Sequence, residues 1–404
     1  MRERAYSNSR AAIISLLLDQ GELSRVDIAR ATGLSRAAIS LSVGELVEEG
    51  LVQEVGTSRS TGGRRPVLLR LGGEAKLAAG VAFEEGECIL TLVNLDGQEV
   101  NRLHLPDVTA WEPAQVVETI ANALPTLLDG RPLRSLLGCG LALSGQVNSL
   151  TDTFSSVTWR FHDTPLRRMI EERVGVPATV LDNAHAAGLG ELWLRGRETR
   201  EHLVYFYMGM GTGGAIVTGR DLYVGRNHAA GEIGATIIDP NGPDFGCHRG
   251  CLEGFIAYTN LRAIIAQQRA VGIATDLPAV LDAAEFVDIL DRAAGAGDPV
   301  ALGTLRYAAR YVGIEAANMI NLLNPDEIIL GGAFGRWGER FASMVSDEAA
   351  ATALPASFAA VRILPGNAIT TTIPLGAAAT IIHQAPTLLA PTARDRAQLG
   401  PAAK

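Results

Sequence analysis

Apolar residues open the chain at helical spacing. Ile13, Ile14, Leu17 and Leu18 predict a helix over 10–20, and Gly21 ends it. Ser24, with Asp27 three residues on, sets up a second start, a capping box with Asp in place of Glu. The short helix it predicts, over 25–32, turns Ile28 and Ala29 inward. Gly33 supplies a turn and Ser35 caps a third helix over 36–49, whose Ile39, Val43 and Leu46 fall on one stripe before Gly50 stops it. Strands over 51–55 and 67–71 then flank the polar run GTSRSTGGRRP, the pattern of a wing. Two helices joined by a Gly-containing turn, the second capped by Ser, make a helix-turn-helix.

The other face of the third helix carries Arg36, Ala37, Ser40 and Leu41. Small side chains let a helix sit deep in a major groove, and Arg36 can reach a base edge or a phosphate. The wing tip, Gly62-Gly63-Arg64-Arg65, joins backbone freedom to two guanidinium groups suited to phosphates or a narrow minor groove. Pattern alone leaves a second reading open, a three-helix protein-interaction module with the arginines as a solvated surface.

Beyond residue 72 the period changes. Strands are predicted over 77–83, 88–92 and 99–103, with a turn at 94–97, and later over 136–143, 178–181, 203–208 and 328–330. Helix-like stretches separate them, which predicts α/β units with mixed sheets covered by helices. Two units fall on either side of about residue 185. A two-lobed actin-like fold of the RNase-H type fits, although periodicity does not separate it from other α/β folds. The boundaries expected are a reader over 1–72, a first lobe over 73–184, a second over 185–384 and a loose tail over 385–404. The helix near 374–384 is expected to pack back on the first lobe.

Composition narrows the class. A chain of 404 residues exceeds one ordinary core. No run of about eighteen apolar residues is free of charge, so no membrane span is expected. The start, MRERAYSNSR, lacks the apolar centre of a signal peptide, and four cysteines are too few for a disulfide framework, so a cytoplasmic protein is expected. Ten Arg against eight Asp and Glu over 1–72 give +2, and the remaining 25 basic against 36 acidic residues give −11. A mildly basic head on an acidic body suits nucleic-acid binding through the head alone.

SRAAISLSVGELVEEGLV followed by TGGRRPVLLRL resembles the reader of the ROK family, named for repressors, uncharacterised reading frames and kinases. VLDNAHAAGLGE, GMGTGGAIVTGRDLYVGRNHAAGEIG, NPDEIILGGAFG and IPLGAAA follow in family order, and the resemblance runs from about residue 7 to 384. It implies a winged helix-turn-helix fused to a two-lobed, actin-like (ASKHA) ROK domain. It also implies a DNA-binding regulator, a repressor of carbohydrate-related genes modulated by a sugar or sugar derivative. Double-stranded operator DNA and a homodimer or dimer of dimers follow as partners. A regulator controlled by a protein partner and a sugar kinase with a fused reader are the alternatives.

Departures from the family bear on that choice. Its kinases have Asp-x-Gly-Gly-Thr after the first strand, where this chain has Phe83-Glu84-Glu85-Gly86-Glu87, so carboxylates confront any phosphate. The kinase segment Asn-Asp-Ala-Asn becomes Asp182-Asn183-Ala184-His185, which puts an amide at the base position unless Asp182 serves from the neighbouring one. No ATP is expected. The zinc-ligand His of relatives is Ala235, and Cys247, His248 and Cys251 offer at most three ligands where structural zinc takes four, so no zinc is expected either. The resemblance implies sugar contacts at Asn183, Glu232 and Glu253, with Asp182 beside them. Glu232 as a turn-stabilising carboxylate and Glu253 as a helix N-terminal acid are the plainer roles. Trp159 suits a sugar-side loop and core packing equally.

Overall fold

The computed structural model describes residues 9–57, 66–84, 86–106, 112–196, 201–209, 211–245, 248–280 and 285–390. The reader forms as its caps dictate. Helices α1 (Ser9–Gln20), α2 (Arg25–Thr32) and α3 (Arg36–Glu48) bury Ile13, Ile14, Leu17, Ile28, Ile39, Val43 and Leu46 together. Ser24 and Ser35 accept the backbone N–H of Asp27 and Ala38, each at 3.2 Å. Gly33 closes α2 in the left-handed region at φ 70°. Strand β1 (Leu23–Ser24) pairs with β3 (Val67–Leu71), which pairs in turn with β2 (Val52–Thr57).

The two lobes repeat one sheet. In the first, β4 (Leu77–Glu84), β5 (Glu87–Asn94) and β6 (Glu99–Leu105) run antiparallel in succession. After α4 (Pro113–Leu128), β7 (Leu136–Leu143) joins β4 in parallel. A small antiparallel sheet of β8 (Gln146–Asn148), β9 (Thr153–Ser156) and β10 (Phe161–Thr164) follows, absent from the sequence expectation. Then come α5 (Leu166–Val174), β11 (Ala178–Leu181) parallel to β7, and α6 (Asn183–Leu194).

The second lobe runs β12 (His202–Met208), β13 (Thr212–Thr218) and β14 (Asp221–Leu222) antiparallel. A long excursion follows, with β15 (Asp244–Phe245), β16 (His248–Arg249), α7 (Leu252–Ile256), α8 (Tyr258–Ala270), α9 (Phe286–Gly295) and α10 (Pro299–Leu323). Strand β17 (Glu327–Gly332) then pairs in parallel with β12, and beyond α11 (Ala333–Arg336), α12 (Gly338–Thr352) and α13 (Pro355–Phe358), β18 (Arg362–Pro365) pairs in parallel with β17. The orders β11-β7-β4-β5-β6 and β14-β13-β12-β17-β18 are one topology used twice. Helices α14 (Ile369–His383) and α15 (Ala385–Leu388) end the described chain. Among the described residues no helix is long and apolar enough to cross a membrane.

Helix α14 sets the geometry of everything else. On β4, Leu77, Val81 and Phe83 face the core under α4, while Ala78, Gly80 and Ala82 turn the other way, toward α14. Gly138, Gly140 and Ala142 repeat the small face on β7. A Cβ on Gly80 or Gly140 would stand 1.9 Å from Pro374 O or Ala377 O of α14. The opposite side of α14 meets α6 as closely. A Cβ on Gly376 would lie 1.7 Å from Ala186 O, and one on Gly190 1.9 Å from Thr372 O. Helix α6 in turn packs Ala184, Ala187 and Leu192 against Leu203, Tyr205 and Ala215 of the second sheet. Glu191 of α6, wholly buried, accepts Arg195 Nε at 2.8 Å and the backbone N–H and Nδ2 of Asn367 at 3.0 and 2.9 Å, which fixes the chain entering α14.

The reader is docked to this helix. Ile13, Ile14 and Leu17 share one core with Ala78, Leu137, Leu375, Ile381, Ala385 and Leu389. Arg10, 2% exposed, donates to Ala390 O at 3.2 Å and pairs with Glu45 and Glu49 at the end of α3 at 3.3 and 2.9 Å. Ala385–Leu388 is therefore helical, and Ala385 and Leu389 are buried, where the sequence predicts a loose tail. Leu389 is 1% exposed because it fills the reader core, a partner that local composition does not reveal. Trp159 rests on the first-lobe core, 5.8 Å from the Phe83 ring and 6.5 Å from Phe161.

Filling the α6–α14 seam should be costly. Gly376→Val puts side-chain carbons into the Ala186 carbonyl, and we expect a loss of about 1–3 kcal/mol or more in denaturant unfolding. A variant as stable as the wild type would contradict the backbone contact.

Candidate functional sites: an inter-lobe cleft and a DNA reader

The turn that ends β7 and the first turn of α6 bring Gly145, Asp182 and Asn183 to the mouth between the lobes. The loop after β14 and the start of α7 bring Glu232 and Glu253 from the other side. Together they line a cleft of about 450 Å³ with Gln146. Its roof is β8 to β10, and Gly211 with the start of β13, Thr212 to Gly214, is a second wall.

Each polar side chain has a defined partner. Asp182 caps α6, accepting Ala184 N–H at 2.7 Å and further N–H groups from Gly145 and His185. Asn183, 1% exposed, gives Nδ2 to Phe83 O at 2.9 Å and to Glu84 Oε2 at 2.5 Å, leaving Oδ1 buried with no protein donor. Gln146 Nε2 donates to Glu232 at 3.1 Å, and Thr212 N–H to Glu253 Oε1 at 3.0 Å. Burial pushes the carboxyls of Asp182, Glu232 and Glu253 up, against the lowering pull of these same bonds. Asp182 adds to the rise at Glu232, and Glu232 to that at Glu253, so the cleft is a cluster of desolvated acceptors.

Three imidazoles that the sequence does not single out line the cleft, those of His162, His185 and His228. His185 holds Nε2 at 2.7 Å from Ala230 O, and His228 stands opposite at φ 64°, its basicity lowered by burial and by His185. HAAGLGE after Asp182 was the available signal, since the first turn of a helix capped at a cleft faces into it. Gln146 and the small roof sheet carried no periodic signal at all.

Where a kinase would cradle phosphate, this chain closes a hairpin. Glu84 pairs directly with Glu87, and Gly86 before it stands at φ 84°. Glu84 is 9% exposed and its Oε1 lies 2.4 Å from the place a Cβ on Gly209 would take, beside Tyr207 Oη at 2.2 Å from the same point. A first-lobe carboxylate thus fills the space against the second lobe's Gly-rich turn. The loop that replaces the zinc site is tied by backbone bonds, with Gly250 N–H on Pro243 O at 2.7 Å and Gly250 O accepting Ile238 N–H at 2.9 Å. Ala235 ends a short 3₁₀ turn and Cys251 is buried, while Cys247 lies outside the described residues.

On the reader, Arg36, Ala37, Ser40 and Leu41 all fall on the exposed face of α3, the last at 69% exposure. Arg25 and Glu54, 2.9 Å apart, brace the wing against α2. Arg64 and Arg65 lie outside the described residues.

The ROK family pattern matches residues 81–383, and a winged helix-turn-helix DNA-binding pattern matches residues 8–53. The chain belongs to the ROK family. It is 28% identical over 327 residues to the DNA-binding transcriptional dual regulator NagC of Escherichia coli K12, covering 80% of this chain and 79% of that one. It is 25% identical over 334 residues to the xylose repressor of Caldicellulosiruptor bescii, covering 81% and 84%. The crystal structure of a ROK family transcriptional regulator, a homologue of the E. coli MLC protein, superposes with a TM-score of 0.80 at 21% identity over 94% of this chain and 97% of that one. A DNA-binding pattern fused to the ROK domain, along relatives that are themselves regulators, makes this ROK protein a transcriptional regulator and not a kinase.

The raised carboxyls give a signed pH dependence. A carboxyl raised on folding contributes most below its unfolded value, here 4.5 for Glu253, and that contribution is lost as pH rises through the raised value. Glu253→Gln should therefore flatten part of the fall in unliganded stability above the ordinary carboxylate range, read by thermal unfolding against pH. Identical profiles would show that Glu253 is not desolvated. Metal analysis of the purified protein should give well under one zinc per chain, and one tightly held zinc would overturn the reading of the 235–251 loop.

Proposed function

We propose that this regulator represses carbohydrate-related genes and is released from operator DNA when a sugar or sugar derivative occupies the inter-lobe cleft. Helix α3 enters the major groove with Arg36, Ala37 and Ser40 toward the bases, and Arg64 and Arg65 of the wing hold the backbone. Asp182, Asn183, Glu232 and Glu253 receive the effector. One reader per chain calls for a homodimer or dimer of dimers on a roughly palindromic site in the cytoplasm.

The observation that carries the reading is the acceptor set of the cleft. Asn183 Oδ1 is buried with no donor, and two carboxylates from the opposite lobe face it with hydrogen-bonding capacity to spare. Vicinal hydroxyls supply the donors such a cluster lacks. Glu84 takes the phosphoryl side of the cleft, so binding is left without transfer. The names of the relatives direct the choice of probes to xylose and N-acetylglucosamine.

The test uses full-length protein and a duplex selected from random sequence. Arg36→Ala should cost about 1–3 kcal/mol on the selected duplex and little on unrelated DNA. Glu253→Ala should bind the duplex as the wild type does yet stay bound when D-xylose, N-acetylglucosamine or D-glucose releases the wild type. If Glu253→Ala loses DNA binding without any sugar, Glu253 is structural and the cleft assignment fails.

A further inference from the structure

Behind the cleft lies a second cavity of about 460 Å³. His185 and His228 line both spaces, so the two are neighbours across a pair of imidazoles. Three bodies wall the second one. Phe154, Leu166 and Val180 come from the first lobe, and Leu222 and Val224 from the second. Thr380, His383 and Gln384 come from the end of α14, where the chain passes into α15 and the reader.

The lining selects a ligand chemistry. Its one guanidinium, Arg167, is already held by Asp152 Oδ1 at 2.8 Å and Oδ2 at 2.5 Å and by Glu171 at 2.7 Å. Asp221 adds a further carboxylate, and burial keeps His228 and His383 toward their neutral forms. A phosphorylated or otherwise anionic ligand would meet no unengaged cation there. What remains is apolar side chains interleaved with hydroxyls of Ser149, Thr153, Thr179 and Thr380, the imidazoles of His185, His228 and His383 and the Gln384 amide. That alternation matches a ring with C–H faces and hydroxyl edges.

We propose that this cavity is a second saccharide-residue site, so that the protein takes two sugar rings, one in the cleft and one behind His185. The inference rests on the reading of the cleft as a sugar site. An occupant here touches both lobes and the α14–α15 joint at once, which places it between the cleft and the reader.

The experiment is calorimetric titration of the full chain with D-xylose and xylobiose, N-acetylglucosamine and chitobiose, D-glucose and cellobiose. If the two rings are linked, a disaccharide binds once per chain and roughly ten-fold or more tighter than its monosaccharide. If they are separate molecules, a monosaccharide binds twice per chain. In either case Leu222→Trp, which fills the cavity, removes the disaccharide gain or the second equivalent and leaves cleft binding in place. Val224→Trp, in irregular backbone, repeats the test should Leu222→Trp fail to fold. One monosaccharide per chain, no gain from any disaccharide and no effect of either tryptophan would overturn the second site. Cleft binding that survives Glu253→Ala would instead overturn the first reading, and binding of none of the six sugars would overturn both.

Discussion

The contact of α14 with the backbones on both sides of it is what the rest of this structure depends on. Gly80 and Gly140 let the helix lie directly on the first sheet, and Gly190 and Gly376 let it cross α6, which lies on the second. Close-packed interfaces of this kind have no slack for continuous deformation, because a shift of a few tenths of an ångström meets backbone atoms. The lobes can therefore change their angle only by moving α6 and α14 as rigid bodies. The far end of α14 carries α15, Leu389 and the carbonyls that Arg10 grips, so the reader rides on the same helix.

This arrangement explains how a kinase-like scaffold serves regulation. The cleft opens between the lobes, with Asn183 on one side and Glu253 on the other, so the proposed effector would bridge the two. Glu84 stands against Gly209 of the second lobe, and Asn183 spends its amide on Glu84 and Phe83. Chemistry has been exchanged for an acceptor-rich pocket whose carboxylates are partly desolvated and await donors.

Much of this was legible in the residues. The caps at Ser24 and Ser35, the stripe of Ile39, Val43 and Leu46, and the Gly turns are local signals, and each forms where local physics places it. The five strands of the first sheet follow from periodicity, but of the second sheet only β12 and β17 do, since the Gly-rich β13 and the short β14 and β18 show no period. Other features were not legible, and two of them depend on partners distant in sequence. Leu389 looks like tail composition until the reader supplies its core. Glu84 looks like a lost phosphate turn until Gly209 of the other lobe is set against it. The roof strands β8 to β10 are three or four residues long, too short for any period to show. The alternation of small and large residues in LAAGVAF and LLGCGLAL did announce a helix at contact distance, but only in hindsight of which face is which.

The central claim is that effector and operator act on one rigid train running from the cleft through α14 to the reader. Binding free energies linked this way are reciprocal. The most direct measurement is the affinity of the full-length protein for its releasing sugar, titrated with and without saturating operator duplex. The account predicts that the duplex weakens sugar binding by the same factor, about 5–150-fold, by which the sugar weakens duplex binding. Sugar affinity that is unchanged by operator DNA would contradict it.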